Sequence, residues 1–262
     1  MDDLLKMELS LDDIFVWMGD FFWPFLRIGA LFLASPIFGA RTVPVKIRII
    51  LAIVITLVIH PLLPASPVVE PLSADGMLII FQQLSIGIVM GMVLQIMFAA
   101  LVMAGQTMAT TMGLGFASAV DPQNGIQVTM VGQFYLIIAT LFFLALDGHL
   151  LLIQIFANSF IVFPVSTEFI SVDIFWSVCL FSTQMFLAAM LIALPTIVGV
   201  LLVNLGFGVM TRAAPQLNIF SMGFPITMMA GFILMLLSLP VLSPLLVNLF
   251  TNSFDFMRVI IN

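Results

Sequence analysis

The sequence contains little charge, a single cysteine and few basic residues, and each shortage excludes a class of protein. Only 8% of its 262 residues are charged and 63% are apolar, whereas soluble domains carry about 25% charged residues. The 7 Lys and Arg residues stand against 13 Asp and Glu residues, so the electrostatic footprint of a nucleic-acid-binding protein is missing. The lone Cys179 excludes an internal disulfide and a cysteine metal cluster. The composition is that of an integral membrane protein in contact with membrane lipid.

The sequence also lacks the motifs of catalysis and cofactor binding. Ser, His and Asp occur without a nucleophile elbow, and no Walker A loop is present. His60 and His149 are far apart in the sequence and have no carboxylate at ligand spacing, so they do not indicate a metal site. We therefore predict that the chain is not an enzyme and uses no cofactor.

Long apolar runs indicate membrane helices. A hydrocarbon core of about 30 Å needs about 20 helical residues. The acidic segment 1–13 precedes these runs and lacks the basic start of a cleaved signal peptide. We predict an all-α integral membrane protein, a single helical domain over residues 1–262, in which transmembrane-type helices and helical hairpins are broken at Pro and Gly. The runs are 14–38, 47–63, 77–105, 126–146, 150–163, 174–210 and 217–250.

Three of these runs do not have the length of one crossing. Run 150–163 is too short to span the membrane, so we expect a re-entrant or hairpin helix. Runs 174–210 and 217–250 each exceed one span, and their prolines remove a backbone donor and kink the helix. We expect run 217–250 to fold back near Pro240.

Small and amide residues recur at every fourth position of run 77–105. Gln83, Gly87, Gly91 and Gln95 therefore lie on one slowly drifting face of a helix. Small residues let helix backbones approach closely, and amides can hydrogen-bond across the contact where lipid offers no partner. The pattern favours packing within the chain, and contact with another subunit is the alternative.

Arg27 places a charge inside an apolar run, where charge is costly. Pro24 leaves the carbonyl of Asp20 without its helical donor. Arg27 can therefore bond that backbone, pair with the Asp20 carboxylate, or pair with another subunit. A structural role is favoured.

The connection at residues 105–125 is both flexible and apolar. Its glycines permit backbone angles closed to other residues, and an Asp-Pro pair disfavours helix. Its leucine, phenylalanine and valine are too apolar for an ordinary solvated loop. Such a loop can plug a pore and seal it by dewetting, and a loop buried among helices is the alternative. The residues assigned to this candidate pore plug are Met112, Gly113, Leu114, Gly115, Phe116, Val120, Asp121 and Pro122.

A second unusual segment, residues 211–225, is a polar connection between the last two runs. It combines charge, amide and proline in a chain that has little charge elsewhere. The residues singled out in it are Arg212, Pro215, Gln216, Asn218, Met222 and Pro225.

These segments together resemble the FliR family of flagellar biosynthetic proteins, nearly from end to end. The resemblance departs at Asp147, where relatives often carry Asn, so we do not expect an ionised carboxylate to be required there. The motifs that carry the resemblance are Trp23-Pro24-Phe25-Leu26-Arg27, Arg41-Thr42-Val43-Pro44, Gly113-Leu114-Gly115-Phe116-Ala117 with Val120-Asp121-Pro122, Gly148-His149-Leu150, and residues 212–225.

The resemblance implies a helical subunit of the export gate of the flagellar type III secretion apparatus. Such a subunit assembles with FliP and FliQ and works beside FlhB and FlhA, in the bacterial inner membrane at the flagellar basal body. Unfolded flagellar axial proteins pass through the gate. The loop that matches residues 112–125 is similar to a plug inside the pore, and the assembled gate can sit higher than the bilayer plane.

Other function classes are left open by the residues. The nearest alternative is an export-gate subunit of a virulence injectisome. A secondary transporter would show two related halves with paired interruptions, and we find no internal repeat. A purely structural membrane scaffold would need no mobile loop, so ion leakage after loop shortening would separate it from a gate.

Overall fold

A computed structural model describes residues 11–40, 42–64, 66–114, 129–213 and 219–261 of the chain. In these residues the regular structure is helical throughout, which confirms the predicted all-α class. A short 3₁₀ turn at His60–Leu62 extends the second helix. The α-helices are α1 (Leu11–Ala34), α2 (Val45–Ile59), α3 (Ala74–Thr111), α4 (Met130–Ala145), α5 (Gly148–Val162), α6 (Val172–Ala213) and α7 (Ile219–Ile261).

The helices have the lengths and hydropathy of a multi-pass membrane protein. Within the described ranges, 4 segments are long and apolar enough to cross a bilayer: Val45–Leu62, α3, α6 and α7. Helices α4 and α5 together have the apolar length of one more span, but they are bent by 68° at a two-residue break. This geometry fits either a broken span or a re-entrant segment.

The expectation that the last run folds back near Pro240 is wrong. Helix α7 is continuous for 43 residues and contains Pro225, Pro240 and Pro244. A membrane helix can continue through proline when its surroundings compensate for the missing backbone donor. Helix α6 likewise continues through Pro195 for 42 residues.

The helices also extend into both predicted connections. Helix α3 ends at Thr111 rather than near residue 105. Helix α6 reaches Ala213 and α7 begins at Ile219, so only residues 214–218 lie between them. Arg212 therefore belongs to the last turn of α6, and Pro225 lies inside α7.

Contacts divide the described chain into two compact units. Unit 1 contains the residues up to Gln95, Gly148–Leu180 and the residues from Phe254; unit 2 contains Ile96–Asp147 and Phe181–Ser253. Helices α3, α6 and α7 each contribute to both units, so no single cut in the sequence separates them.

Each unit has its own apolar core. In unit 1 the fully buried side chains include Trp23, Phe32 and Ile79. In unit 2 an aromatic cluster joins three helices: the ring centroid of Phe98 lies 5.9 Å from that of Phe143 and 6.3 Å from that of Phe250. These cores fix the positions of the polar and small residues that follow.

Candidate functional site

Arg27 is the centre of a buried polar network in unit 1. Its side chain is 0% exposed. Its Nε donates to Gln83 Oε1 at 2.7 Å, its Nη1 to the Ser159 carbonyl oxygen at 3.0 Å, and its Nη2 to the Phe163 carbonyl oxygen at 2.8 Å. Its Cζ also stacks 3.9 Å from the centroid of the Phe160 ring. The guanidinium therefore ties α1 to α3 and to the end of α5.

The charge of Arg27 is balanced by backbone rather than by a carboxylate. The carbonyls of Ser159 and Phe163 lie at the C-terminal end of α5, where the helix dipole is negative. Asp20, one of the three alternatives predicted from the sequence, has a different role, since its Oδ1 accepts from the backbone N–H of Ser66 at 3.0 Å. The stabilisation of Arg27 is thus an interaction between helices, with no dependence on Asp20.

The network continues from Gln83 to the segment after α5. Gln83 Nε2 donates to Gln82 Oε1 at 2.7 Å, and Gln82 Nε2 donates to Ser166 Oγ at 3.1 Å and to the Glu168 carbonyl oxygen at 2.9 Å. The backbone N–H of Ser166 returns a bond to Gln82 Oε1 at 3.2 Å. The two glutamines hold the α5–α6 connection against α3.

Gly87 and Gly91 face α1 at short range. A Cβ added at Gly87 would meet the Arg27 carbonyl oxygen and lie 2.7 Å from Ala30 Cβ; one added at Gly91 would meet Ala34 Cβ. Both glycines are buried, as is Gln83, whereas Gln95 is exposed. The part of the predicted stripe from Gln83 to Gly91 is therefore buried, with both glycines packed against α1, whereas Gln95 at its end is exposed.

Helix α3 ends in a Schellman motif at the start of the candidate plug. Gly113 has φ +86°, a conformation that favours glycine. The N–H of Gly113 donates to the Thr110 carbonyl oxygen at 3.1 Å, and that of Leu114 to the Ala109 carbonyl oxygen at 2.9 Å. Gly113 is thus required at this position for a conformational reason, which fixes the direction in which the chain leaves α3.

This helix end lies against α7 within unit 2. Met112 is 0% exposed, and its side chain occupies the space beside Gly231: a Cβ at Gly231 would lie 2.5 Å from Met112 Cγ and 2.9 Å from its Sδ. The Phe224 ring lies over Gly113, where an added Cβ would be 2.7 Å from Phe224 Cε2. We call this contact of Met112, Gly113, Phe224 and Gly231 the Met112 notch.

Several residues singled out from the sequence lie outside the described residues. Of the polar connection, Arg212 and Pro225 are exposed, and the side chain of Met222 is not described. The residues outside are Arg41, Gly115, Phe116, Val120, Asp121, Pro122, Pro215, Gln216 and Asn218.

The α4–α5 break explains the residue at position 147. Asp147 has φ +54°, the left-handed region in which Asp and Asn are the side chains best tolerated after glycine. Asn and Asp meet this requirement equally well, so backbone conformation accounts for either residue. Among the residues that the structure describes, no group of three or more His, Cys, Asp and Glu side chains is arranged to hold a metal ion.

Sequence reasoning missed the partners of Arg27 and the Met112 notch. Gln82 is adjacent to the predicted Gln83, and a pair of amides in an apolar run was an available signal. Gly231 could have been noted as a glycine inside the last apolar run. The backbone carbonyls of Ser159 and Phe163 carry no sequence signal.

Comparison with known proteins agrees with this architecture. Residues 18–253 match the family described as bacterial export proteins, family 1. The flagellar biosynthetic protein FliR of Pectobacterium carotovorum is 38% identical over 95% of both chains. FliR of Escherichia coli K12 is 34% identical over 98% of both chains, and FliR of Bacillus subtilis is 30% identical over 89% of this chain and 91% of its own.

Both kinds of match cover nearly the whole chain, and the helices provide the multi-pass architecture that such a protein needs. The localisation is the bacterial inner membrane, at the flagellar basal body. The chain belongs to family 1 of the bacterial export proteins, and within it to the flagellar biosynthetic protein FliR family.

Proposed function

We propose that this chain is a subunit of the flagellar type III export gate and that it forms, with FliP and FliQ, the channel for unfolded flagellar axial proteins. FlhB and FlhA are the expected neighbours in the same apparatus. Membership of the FliR family supports flagellar export as the process. The named partners follow from the resemblance to the FliR family, and the exposed apolar faces support an assembly with neighbouring subunits.

The length of the exposed apolar faces is the observation that carries this proposal. Along α6, exposed apolar side chains extend from Val172 at 79% to Met210 at 51%, which is about 57 Å of helix length at the rise of an α-helix. A hydrocarbon core covers about 30 Å. At the upper tilt of about 40°, a straight helix of this length would project over roughly 44 Å along the bilayer normal. Lipid therefore cannot cover the whole face.

Helix α7 has the same property. Its exposed apolar side chains extend from Phe224 at 39% to Val259 at 70%, about 53 Å of helix. Less than a third of the hydrophobic windows of α6 and α7 is buried within the chain, 28% and 22% respectively. Apolar helices of neighbouring subunits are the cover that suits such faces, and this requirement favours an assembled gate over a protein that works alone.

The composition of the chain favours passage rather than chemistry. Sequence motifs for nucleotide hydrolysis are missing, so the energy for transport has to come from other components. A narrow apolar passage admits an extended chain, whereas a folded domain would need an opening too wide to seal by one loop. Unfolded axial proteins are therefore the substrate class that fits the proposal.

Deletion of the gene tests the process. Cells lacking the chain should synthesise hook and filament subunits, retain them inside and be non-motile. Fractionation of the culture measures the exported share, and complementation with the intact gene is the control. Normal export in the deletion strain would reject the gate assignment.

Shortening of the candidate plug tests the channel role. Removal of residues 116–124 should make membranes permeable to small ions when the shortened chain is assembled with its partners, because an apolar loop that closes a pore would be lost. A matched control replaces the same residues with a Gly-Ser linker of equal length. Membranes that stay tight with a verified assembly of the shortened chain would contradict the plug.

A further inference from the structure

In the Met112 notch, the end of α3 and the first third of α7 fit together in shape. Met112 is fully buried although it is the first residue after the helix, a position at which side chains are commonly exposed. Its thioether fills the volume that a side chain at position 231 would occupy. Glycine is less favourable than alanine inside a long helix, so the notch gives Gly231 a structural use.

The direction of the chain after the notch is fixed by a second contact. Gly113 adopts φ +86° and lies under the Phe224 ring, and Leu114 is held by its bond to the Ala109 carbonyl oxygen. A methionine seated beside a glycine makes a flexible and apolar contact without hydrogen bonds from its side chain. Such a contact can separate and re-form without leaving a polar group unsatisfied in an apolar environment.

We propose that Gly231 and Phe224 are positioning residues for the root of the candidate plug, and that Met112 leaves its seat on Gly231 whenever a protein passes the gate. This inference rests on the proposed function, and it adds the point at which the resting state is held. In the resting state α7 fixes the end of α3. During transport the same helix releases it.

A reversible disulfide tests this proposal in the assembled gate. In a chain carrying Cys179→Ser, the pair Met112→Cys and Gly231→Cys brings two Cβ atoms within the separation that a disulfide spans, because Met112 Cγ lies 2.5 Å from an added Cβ at position 231. Mild oxidation in cells should cross-link the pair. Export of hook subunits should then fall at least tenfold and return when a reductant is added.

The matched control links α6 to α7 without involving the notch. Gly199→Cys with Leu234→Cys is suitable, because an added Cβ at position 199 lies 3.3 Å from Leu234 Cγ. This pair should cross-link and leave export unchanged. Before oxidation, each variant has to export hook subunits, because export by the reduced form shows that the substituted chain folds and assembles.

The outcomes of the cross-linking and deletion experiments test the notch and the gate function separately. Export that continues through gates with a cross-linked notch would overturn the release of Met112, and a notch pair that cannot be cross-linked would overturn its seating on Gly231. Both results would leave the gate function standing if the deletion strain fails to export. Normal export in the deletion strain would instead remove the proposed function itself.

Discussion

A single methyl group at Gly87 should destabilise unit 1, because that glycine faces the backbone of α1. The added Cβ would meet the Arg27 carbonyl oxygen, 2.7 Å from Ala30 Cβ and 2.9 Å from the Leu31 nitrogen. Backbone atoms cannot rotate away, so the two helices have to separate. Overpacking of this kind costs about 1–3 kcal/mol. The thermal midpoint of Gly87→Ala should therefore lie about 2–12 °C below that of a matched Gly→Ala control without the contact, at about 2–4 °C per kcal/mol for a chain of this size.

Gly29→Ala is the matched control, because Gly29 lies in the same unit and an added Cβ there meets nothing within 4 Å. Both substitutions gain the same helix propensity, about 1 kcal/mol, so their difference measures the contact. Membranes are solubilised in mild detergent and heated, and the soluble fraction of the chain is measured by immunoblot. Equal midpoints for the two variants would refute close packing of α3 on α1. Gly91→Leu should act in the same direction as Gly87→Ala, and Ile88→Leu, at a 43% exposed position, should not.

Two further substitutions test contacts that were described above. Arg27→Leu should lower the same thermal midpoint, because it leaves Gln83 Oε1 and the Phe163 carbonyl oxygen without their donor, at about 1–3 kcal/mol for each buried group. Arg27→Lys should lower it as well, since one ammonium cannot reproduce the several directed hydrogen bonds of the guanidinium. A midpoint for Arg27→Lys equal to that of the wild type would contradict a requirement for the guanidinium geometry. Gly113→Ala should increase the ion leakage of assembled gates, because φ +86° costs a residue with a side chain about 1–2 kcal/mol and the added methyl meets the Phe224 ring. Gly206→Ala is the control, because an added Cβ at position 206 meets nothing within 4 Å. Equal leakage in the two variants would contradict a role of Gly113 in closing the pore.

The packed face of α3 could be predicted from the sequence only in part. Spacing by four residues advances about 40° beyond a full turn at each step, because the helix repeats every 3.6 residues. Gln83, Gly87 and Gly91 therefore remain buried, while Gln95 has moved about 120° from Gln83 and is exposed. A spacing of four residues therefore keeps side chains on one face for only about two turns of an α-helix.

The helical class could be predicted because composition and run length depend on the sequence alone. The partners of Arg27 could not be predicted, since they lie 56, 132 and 136 residues away and two of them are backbone carbonyls. The continuity of α7 through Pro240 could not be predicted either. Whether a proline breaks a membrane helix depends on the groups that surround it, and these are set by tertiary packing.

The hydrogen bonds of Arg27 set an order for the biosynthesis of this protein. Arg27 is synthesised 132 residues before Ser159 and 136 residues before Phe163. At about 5–20 residues per second, these two acceptors emerge from the ribosome roughly 7–27 s after it. Gln83, which follows Arg27 by 56 residues, is therefore available to the guanidinium before the two carbonyls are. A chain that ends before α5 leaves Nη1 and Nη2 of Arg27 without their native acceptors.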